Sequence, residues 1–355
     1  MNFHSDEWIK ENLERHYQEA LTLFPKEQIL GVFLQGSQNY GLDYEDSDID
    51  TKAVIIPTLA EIASAQKPIS TTHVLPNTEH IDLKDIRLMI GEFKKQNLNF
   101  LEILWTPYFI INPLYAQEWG RLVCAREQIA NYCPGRVVKS MKGIALEKFH
   151  ALEHRYPSRV EWLDKFGYDP KQLHHLIRIK VFIDEYLKGW NFESCFYPSA
   201  EVSKYLVRVK TGEEFNLEQA RKEAAAAKEH IEKAADEFCT DETFKCDEQI
   251  EKLFKSVQEE IIKIALKNEL TVSMDVDTFY KEAVALKDIK EIQSDLASCK
   301  STLEKIEKYF CENMAYGNLT PDYVSKYFDK KVCFSQSFAP VTQAYKDFQQ
   351  EANNG

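Results

Sequence analysis

Asp48 and Asp50 are separated by one isoleucine and follow a glycine-serine pair at Gly36-Ser37. Residues of these types at this spacing can do chemistry on phosphates. Glycine lets a backbone approach a ligand closely or take a positive φ. Ser37 adds a hydroxyl and an amide, and successive amides in such a turn make a nest for an anion. Two neighbouring carboxylates repel unless a cation lies between them, and Mg²⁺ favours carboxylates together with phosphate oxygens of a substrate. Either motif alone is common. Their order, with a strand-like run on each side, points to a nucleoside triphosphate.

The elements that must hold these residues are legible nearby. The apolar run 29–34 reads as a buried strand ending at Gly36, and Gly41 gives the following loop a second flexible point. A second strand is expected from Asp48 through 56, with Asp48 and Asp50 on one face and Ile49 on the other. The segment 79–85 alternates polar and apolar residues. In that register Asp82 shares a face with His80 and Lys84 while Ile81 and Leu83 point to the core, so Asp82 is the candidate third metal ligand or general base. Asp85 reads as the N-cap of the next helix, and Glu79 falls on the wrong face.

A basic cluster follows later. Pro170 suits a first helical turn with Asp169 as N-cap. On an ideal helix Lys171, His174, His175 and Arg178 fall within roughly a 100° arc, opposite Leu173, Leu176, Ile177 and Ile183. Such an arc is either a solvated basic face or a contact for the triphosphate or an acceptor's phosphate. In the second case Arg178 is the bidentate partner and Lys171 a point charge. No cysteine or acid stands near His174 and His175 at ligand spacing, which disfavours a metal there.

With these residues in view, the chain resembles the DNA polymerase β-like nucleotidyltransferase superfamily, in its bacterial and phage branch with Gly-Ser-x-x-Tyr-Gly-Leu before Ser-Asp-x-Asp. Gly36, Ser37, Tyr40, Gly41, Leu42, Ser47, Asp48 and Asp50 match that pattern. The stretch 97–104 is similar to the branch's Asn-x-x-Leu-Glu-x-Leu, with Glu102 as the matching acid, and Lys171, His175 and Arg178 match a later Lys, His and Arg. The hairpin-like stretch 208–214 is also similar. The likeness spans about residues 28–235; Gln35 and Lys52 depart from it. It implies an α+β fold in which a small mixed sheet with flanking helices carries Asp48, Asp50 and Asp82 as metal-binding and catalytic residues. Nucleotide contacts then fall to Gly36, Ser37, Tyr40, Ser47, Lys171, His175 and Arg178.

The whole chain has 355 residues, with 57 acids against 44 Lys and Arg for a net charge of −13. Its 44% hydrophobic and 28% charged residues are globular values. A general nucleic-acid coat protein is excluded, although a local basic patch is not. Eight cysteines without a Cys-x-x-Cys pair argue against structural zinc. No signal-peptide layout and no apolar run near about 18 residues is present, so no membrane span is expected. The expectation is a cytoplasmic protein with reduced thiols.

Three domains are expected: a catalytic domain over 1–112, a helical substrate- or nucleotide-binding domain over 113–240, and a helical extension over 241–355. In the first, Ser5 caps an opening helix and 58–77 reads as a loop. The second holds helices over 114–129, 136–150 and 217–238 besides the Lys171 helix. In the extension two stripes, Ile250 to Ile264 and Leu286 to Phe310, read as an antiparallel hairpin. It either packs or serves as a homo-oligomer or partner-protein contact. The expected activity is transfer of a nucleoside monophosphate from an NTP, with ATP as the expected donor and Mg²⁺ or Mn²⁺ as cofactor. The acceptor, an RNA or tRNA end, a protein hydroxyl or a small molecule, is left open. The alternative is a catalytically silent NTP-binding sensor acting through its C-terminal helices.

Overall fold

Helix α1 (Asp6–Leu23) begins where the Ser5 side chain accepts the Trp8 amide at 3.2 Å. It buries Ile9, Leu13, His16 and Ala20, spaced so that one stripe faces inward. That stripe lies on a five-stranded sheet of β1 (Ile29–Gln35), β2 (Asp50–Ile55), β3 (Ser70–Val74), β4 (His80–Asp85) and β5 (Phe109–Ile111). The strand order is β3-β4-β2-β1-β5. β2 and β4 run parallel, and the other neighbouring pairs are antiparallel. The chain is therefore a mixed α/β protein with a mixed sheet and many helices. The computed structural model describes residues 3–273, and the chain divides into two compact units, Met1–Ile262 and Lys263–Gly355.

One core joins Ile9 and Leu13 of α1 to Val32, Leu34, Ile49, Ala53, Ile81 and Leu83. α3 (Ile86–Lys94) buries Ile86, Met89, Ile90 and Phe93. As expected, Asp85 caps it, taking the Arg87 amide at 2.8 Å. The 58–77 segment is not a plain loop. Thr58 and Glu61 form a capping box that starts the short α2 (Leu59–Ala63), and β3 follows as an edge strand. Its residues are mostly exposed, so it lacks the apolar alternation by which a strand announces itself.

Beyond the sheet come α4 (Leu98–Leu101), α5 (Ala116–Cys124), α6 (Arg126–Ala130), α7 (Pro134–Ala151) and α8 (Val160–Phe166). After them are α9 (Pro170–Leu187), α10 (Phe192–Phe196), α11 (Ala200–Thr211), α12 (Leu217–Phe238) and α13 (Glu248–Ser273). The expected helix over 114–129 is two helices, α5 and α6, broken at Ala125. The 208–214 stretch is no hairpin. It is the end of α11, closed by Gly212 at φ 78 in the left-handed region. Trp105, Phe182, Phe192 and Phe196 are buried in one aromatic cluster that binds α9 and α10 to the segment after α4. The stripe in α13 buries Ile250, Phe254, Val257 and Ile261; its proposed partner, Leu286 to Phe310, lies outside the described residues. Among the described residues no helix is long and apolar enough to cross a membrane, and Cys124, Cys133, Cys195, Cys239 and Cys246 are free thiols.

Candidate active site

β1 delivers the chain to Gly36 at φ 99, ψ −158, a region that is essentially glycine-only and costs another residue on the order of 1–3 kcal/mol. From there residues Ser37–Tyr40 make a single 3₁₀ turn, ended by Gly41 at φ 68. Buried polar bonds fix this turn. Asn39 Nδ2 donates to the Leu34 carbonyl at 2.9 Å, and Thr106 Oγ1 donates to Asn39 Oδ1 at 2.6 Å. Gln38 Nε2 donates to the Asp48 carbonyl at 2.7 Å, tying the turn to the acidic segment.

β2 starts at Asp50, two residues later than expected, so Asp48 sits in the approach to the strand. Ile49 is fully buried, Asp48 exposed and Asp50 half-buried. The anchored isoleucine thus turns both carboxylates outward even though only one is in the ladder. Burial raises the Asp50 carboxyl above its ordinary value, and the Asp48 charge adds to it against Lys171 and His80. His80, opposite Asp50 in the parallel pair, offers its backbone amide and Nδ1 to Asp50 Oδ1, each at 3.1 Å.

Asp82 stands one step along, opposite Lys52. Lys52 Nζ donates to Asp82 Oδ2 at 3.2 Å and lies 4.3 Å from the Phe100 ring centroid. Burial lowers the Lys52 amine, with Asp82 opposing. Among the described residues no three His, Cys, Asp or Glu side chains are grouped as a metal-ligand set. Asp48 and Asp50 form a pair, and Asp82 is engaged by a lysine.

Across from the acids stands α9. Asp169 caps it, accepting the Lys171 amide at 2.9 Å, and Arg159 grips the same carboxylate through Nε at 2.9 Å and Nη2 at 2.7 Å. Lys171, His174, His175 and Arg178 all face one cavity of about 450 Å³, so this arc is not a solvated surface. Gly36, Ser37, Tyr40, Ser47, Asp48, Asp50 and Asp82 line the same cavity. The carbon at the centre of the Arg178 guanidinium lies 3.6 Å from the Tyr40 ring centroid, and Tyr40 stacks on Phe196 at 5.5 Å. His174 Nδ1 lies 2.8 Å from the Leu206 carbonyl, and burial brings its pKa down to about 3. Burial drives His175 well down too, reinforced by His174 and Lys171.

Two further residues belong to the cavity that local pattern did not single out by role. Glu102 is buried, and burial raises its carboxyl to about 8 against the pull of Arg178 and a hydrogen bond from the Gly36 backbone. Burial in turn brings Arg178 down to about 10. Lys210, on α11, donates to the Leu42 carbonyl at 3.1 Å and to Ser47 Oγ at 3.2 Å. Burial, then Lys171, lowers its amine to about 7. The family likeness had pointed to Glu102 and to the 208–214 stretch. Nothing local told that Lys210 would close over a loop so distant in sequence.

The cavity therefore sets an acid pair and a glycine-serine turn against a wall bearing Lys171, Arg178 and Lys210. Such a wall can take a chain of phosphates, and the acid pair could hold a divalent cation.

No protein-family model matches the chain, and a comparison with curated proteins finds no match. Among solved structures, a nucleotidyltransferase-like protein from Exiguobacterium sibiricum 255-15 aligns over 64% of this chain and 74% of its own. Identity is 13% and the TM-score 0.24. A likeness that low carries no functional argument, and the function is read from the cavity.

Proposed function

We propose that this protein transfers a nucleoside monophosphate from an NTP, with ATP as the donor, to an acceptor hydroxyl or phosphate. The observation that carries the proposal is the meeting of Asp48, Asp50, Gly36 and Ser37 with Lys171, Arg178 and Lys210 in one cavity. An acceptor oxygen forms a new bond to the α-phosphorus, and the bond from that phosphorus to the bridging oxygen breaks. Pyrophosphate departs with the electron pair. The Gly36–Ser37 turn binds the β- and γ-phosphates, and the cationic wall neutralises charge gathering on the leaving group. Asp82, oriented by Lys52, receives the acceptor's proton. The donor set of Asp48, Asp50 and phosphate oxygens fits Mg²⁺ or Mn²⁺, which when bound would offset phosphate charge and polarise the reacting phosphoryl group.

A second reading has one observation in its favour: Lys52 already engages Asp82, leaving two carboxylates rather than three for a metal. That arrangement suits a sensor that binds Mg·ATP without turning it over. Incubation with ATP labelled at the α-phosphate, together with total RNA and cell lysate, separates the two. Transfer places label on an acceptor and releases pyrophosphate; a sensor binds the nucleotide and does neither. Asp50→Asn is expected to abolish transfer with the melting temperature unchanged or raised, because it relieves repulsion from Asp48. Retained transfer would refute the role given to Asp50.

A further inference from the structure

A second cavity of about 390 Å³ adjoins the first, for Asn99 and Ile144 line both. Its walls carry Lys95, Arg136 and Lys139 against a single carboxylate, Glu147, which itself pairs with Lys148 at 2.7 Å. On a chain of net charge −13 this sign is a local reversal. Arg136 is held in place, donating through Nη1 to the Lys94 carbonyl at 3.0 Å with its guanidinium carbon 6.0 Å from the Tyr132 ring centroid. Lys95 pairs with Glu92 at 2.9 Å, at the groove's edge.

Gly143 lies inside α7, where glycine costs roughly 0.5–1 kcal/mol relative to alanine. A Cβ at Gly135 in the same helix would meet Thr243 Oγ1 at 2.9 Å, so packing explains that glycine. A Cβ at Gly143 would meet nothing within 4 Å. Gly91 and Gly120 in other helices are equally uncrowded, so Gly143 marks only the place on the groove's lining where a larger side chain has room.

We infer that this groove is the track of the acceptor, and that the acceptor is a single-stranded polynucleotide whose end enters the catalytic cavity. The inference rests on the nucleotidyl-transfer reading and names its substrate class. A fixed guanidinium and flanking ammonium groups suit successive phosphodiesters. Asn99 can donate and accept toward sugar hydroxyls or base edges, which an acidic peptide would not call for, while Asn97 is held as the cap of α4 and donates to Glu92 at 3.0 Å. Because the two cavities adjoin at Asn99 and Ile144, a strand lying in the groove can pass its terminus into the catalytic cavity.

The test is fluorescence anisotropy of the full chain, without NTP, using a short labelled oligoribonucleotide, the matching deoxyribonucleotide and a glutamate-rich peptide of equal charge. We expect one or both oligonucleotides to bind and the peptide not to; the tighter of the two identifies the sugar. Three phosphate contacts predict a slope near −2 in log affinity against log salt, at about −0.7 each for a single strand. Arg136→Glu with Lys139→Glu is expected to weaken binding at least about ten-fold and flatten that slope. Gly143→Leu is expected to block the track without loss of fold, since leucine is the better helix former. Both variants should keep the thermal stabilisation given by Mg·ATP. Equal binding of the peptide, or strand affinity unmoved by either variant, would overturn the inference. Absence of strand binding by a protein still stabilised by Mg·ATP sinks the groove alone; absence of that stabilisation in the unaltered protein sinks the nucleotidyl-transfer reading.

Discussion

Lys210, bonded to Leu42 and Ser47, and Glu102, bonded to the Gly36 backbone, are both buried, and they give stability pH dependences of opposite sign. Lys210 takes its proton near 10.5 when unfolded and near 7 in the fold. The unfolded chain then binds more protons between those values, so this residue makes stability climb as pH rises through that window. Glu102 titrates near 4.5 unfolded and about 8 folded, so the folded chain binds more protons and stability falls as pH rises from about 4.5 to 8. Lys210→Met is expected to remove the climb above neutrality and Glu102→Gln the fall below it, read from urea midpoints across pH. Superimposable pH curves for variant and parent would show that neither burial matters. Lys210→Met should also reduce transfer, because the phosphate wall loses one of its cations.

At the scale of elements, α9 is the part whose start decides whether the basic wall faces the acids. Asp169 is almost fully buried and holds both the Lys171 amide and the Arg159 guanidinium. Asp169→Ala is expected to cost about 2 kcal/mol or more, a cap together with a charged bond, measured by chemical denaturation. A loss below about 0.5 kcal/mol would mean that the cap is dispensable. This start is readable from Asp169-Pro170 because capping is local chemistry. The turn after β1 and the outward pair Asp48 and Asp50 are readable for the same reason, through Gly36 and the apolar Ile49. β3 is not, because an exposed edge strand needs no apolar face and Ser70, Thr71 and Thr72 show none. The Thr58-x-x-Glu61 capping box that starts α2 is local too, but the helix it opens is short and lies in a stretch whose prolines and threonines suggest a loop. Thr211-Gly212 resembles a hairpin in sequence because a glycine in the left-handed region ends helices as readily as it turns strands. The place of Lys210 against Leu42 and Ser47 depends on the packing of α11 on α9, which no local window contains.

For the whole molecule, the Asp48–Asp50 pair and the anion turn come from residues before Lys52 and Asp82 from β4, while the opposing cations come from residues after Pro170. Ligand that bridges the two should therefore stabilise the first unit as one cooperative body. Mg·ATP at a hundred times its Kd is expected to add about 2.7 kcal/mol, seen as a single shifted melting transition, and Asp48→Asn should erase the magnesium-dependent part. A transition that splits, with only one part moving, would refute a bridged site. The same arrangement has a consequence for synthesis. Lys210 and its partner Leu42 are separated by 168 residues, which a ribosome adds in roughly ten to thirty seconds at about 5–20 residues per second. For most of that interval the nascent chain displays Asp48 and Asp50 without Lys171 or Arg178, and to its end without Lys210. It can attract free divalent ions but cannot grip a nucleotide, so the emerging polypeptide stays inert until translation passes α11.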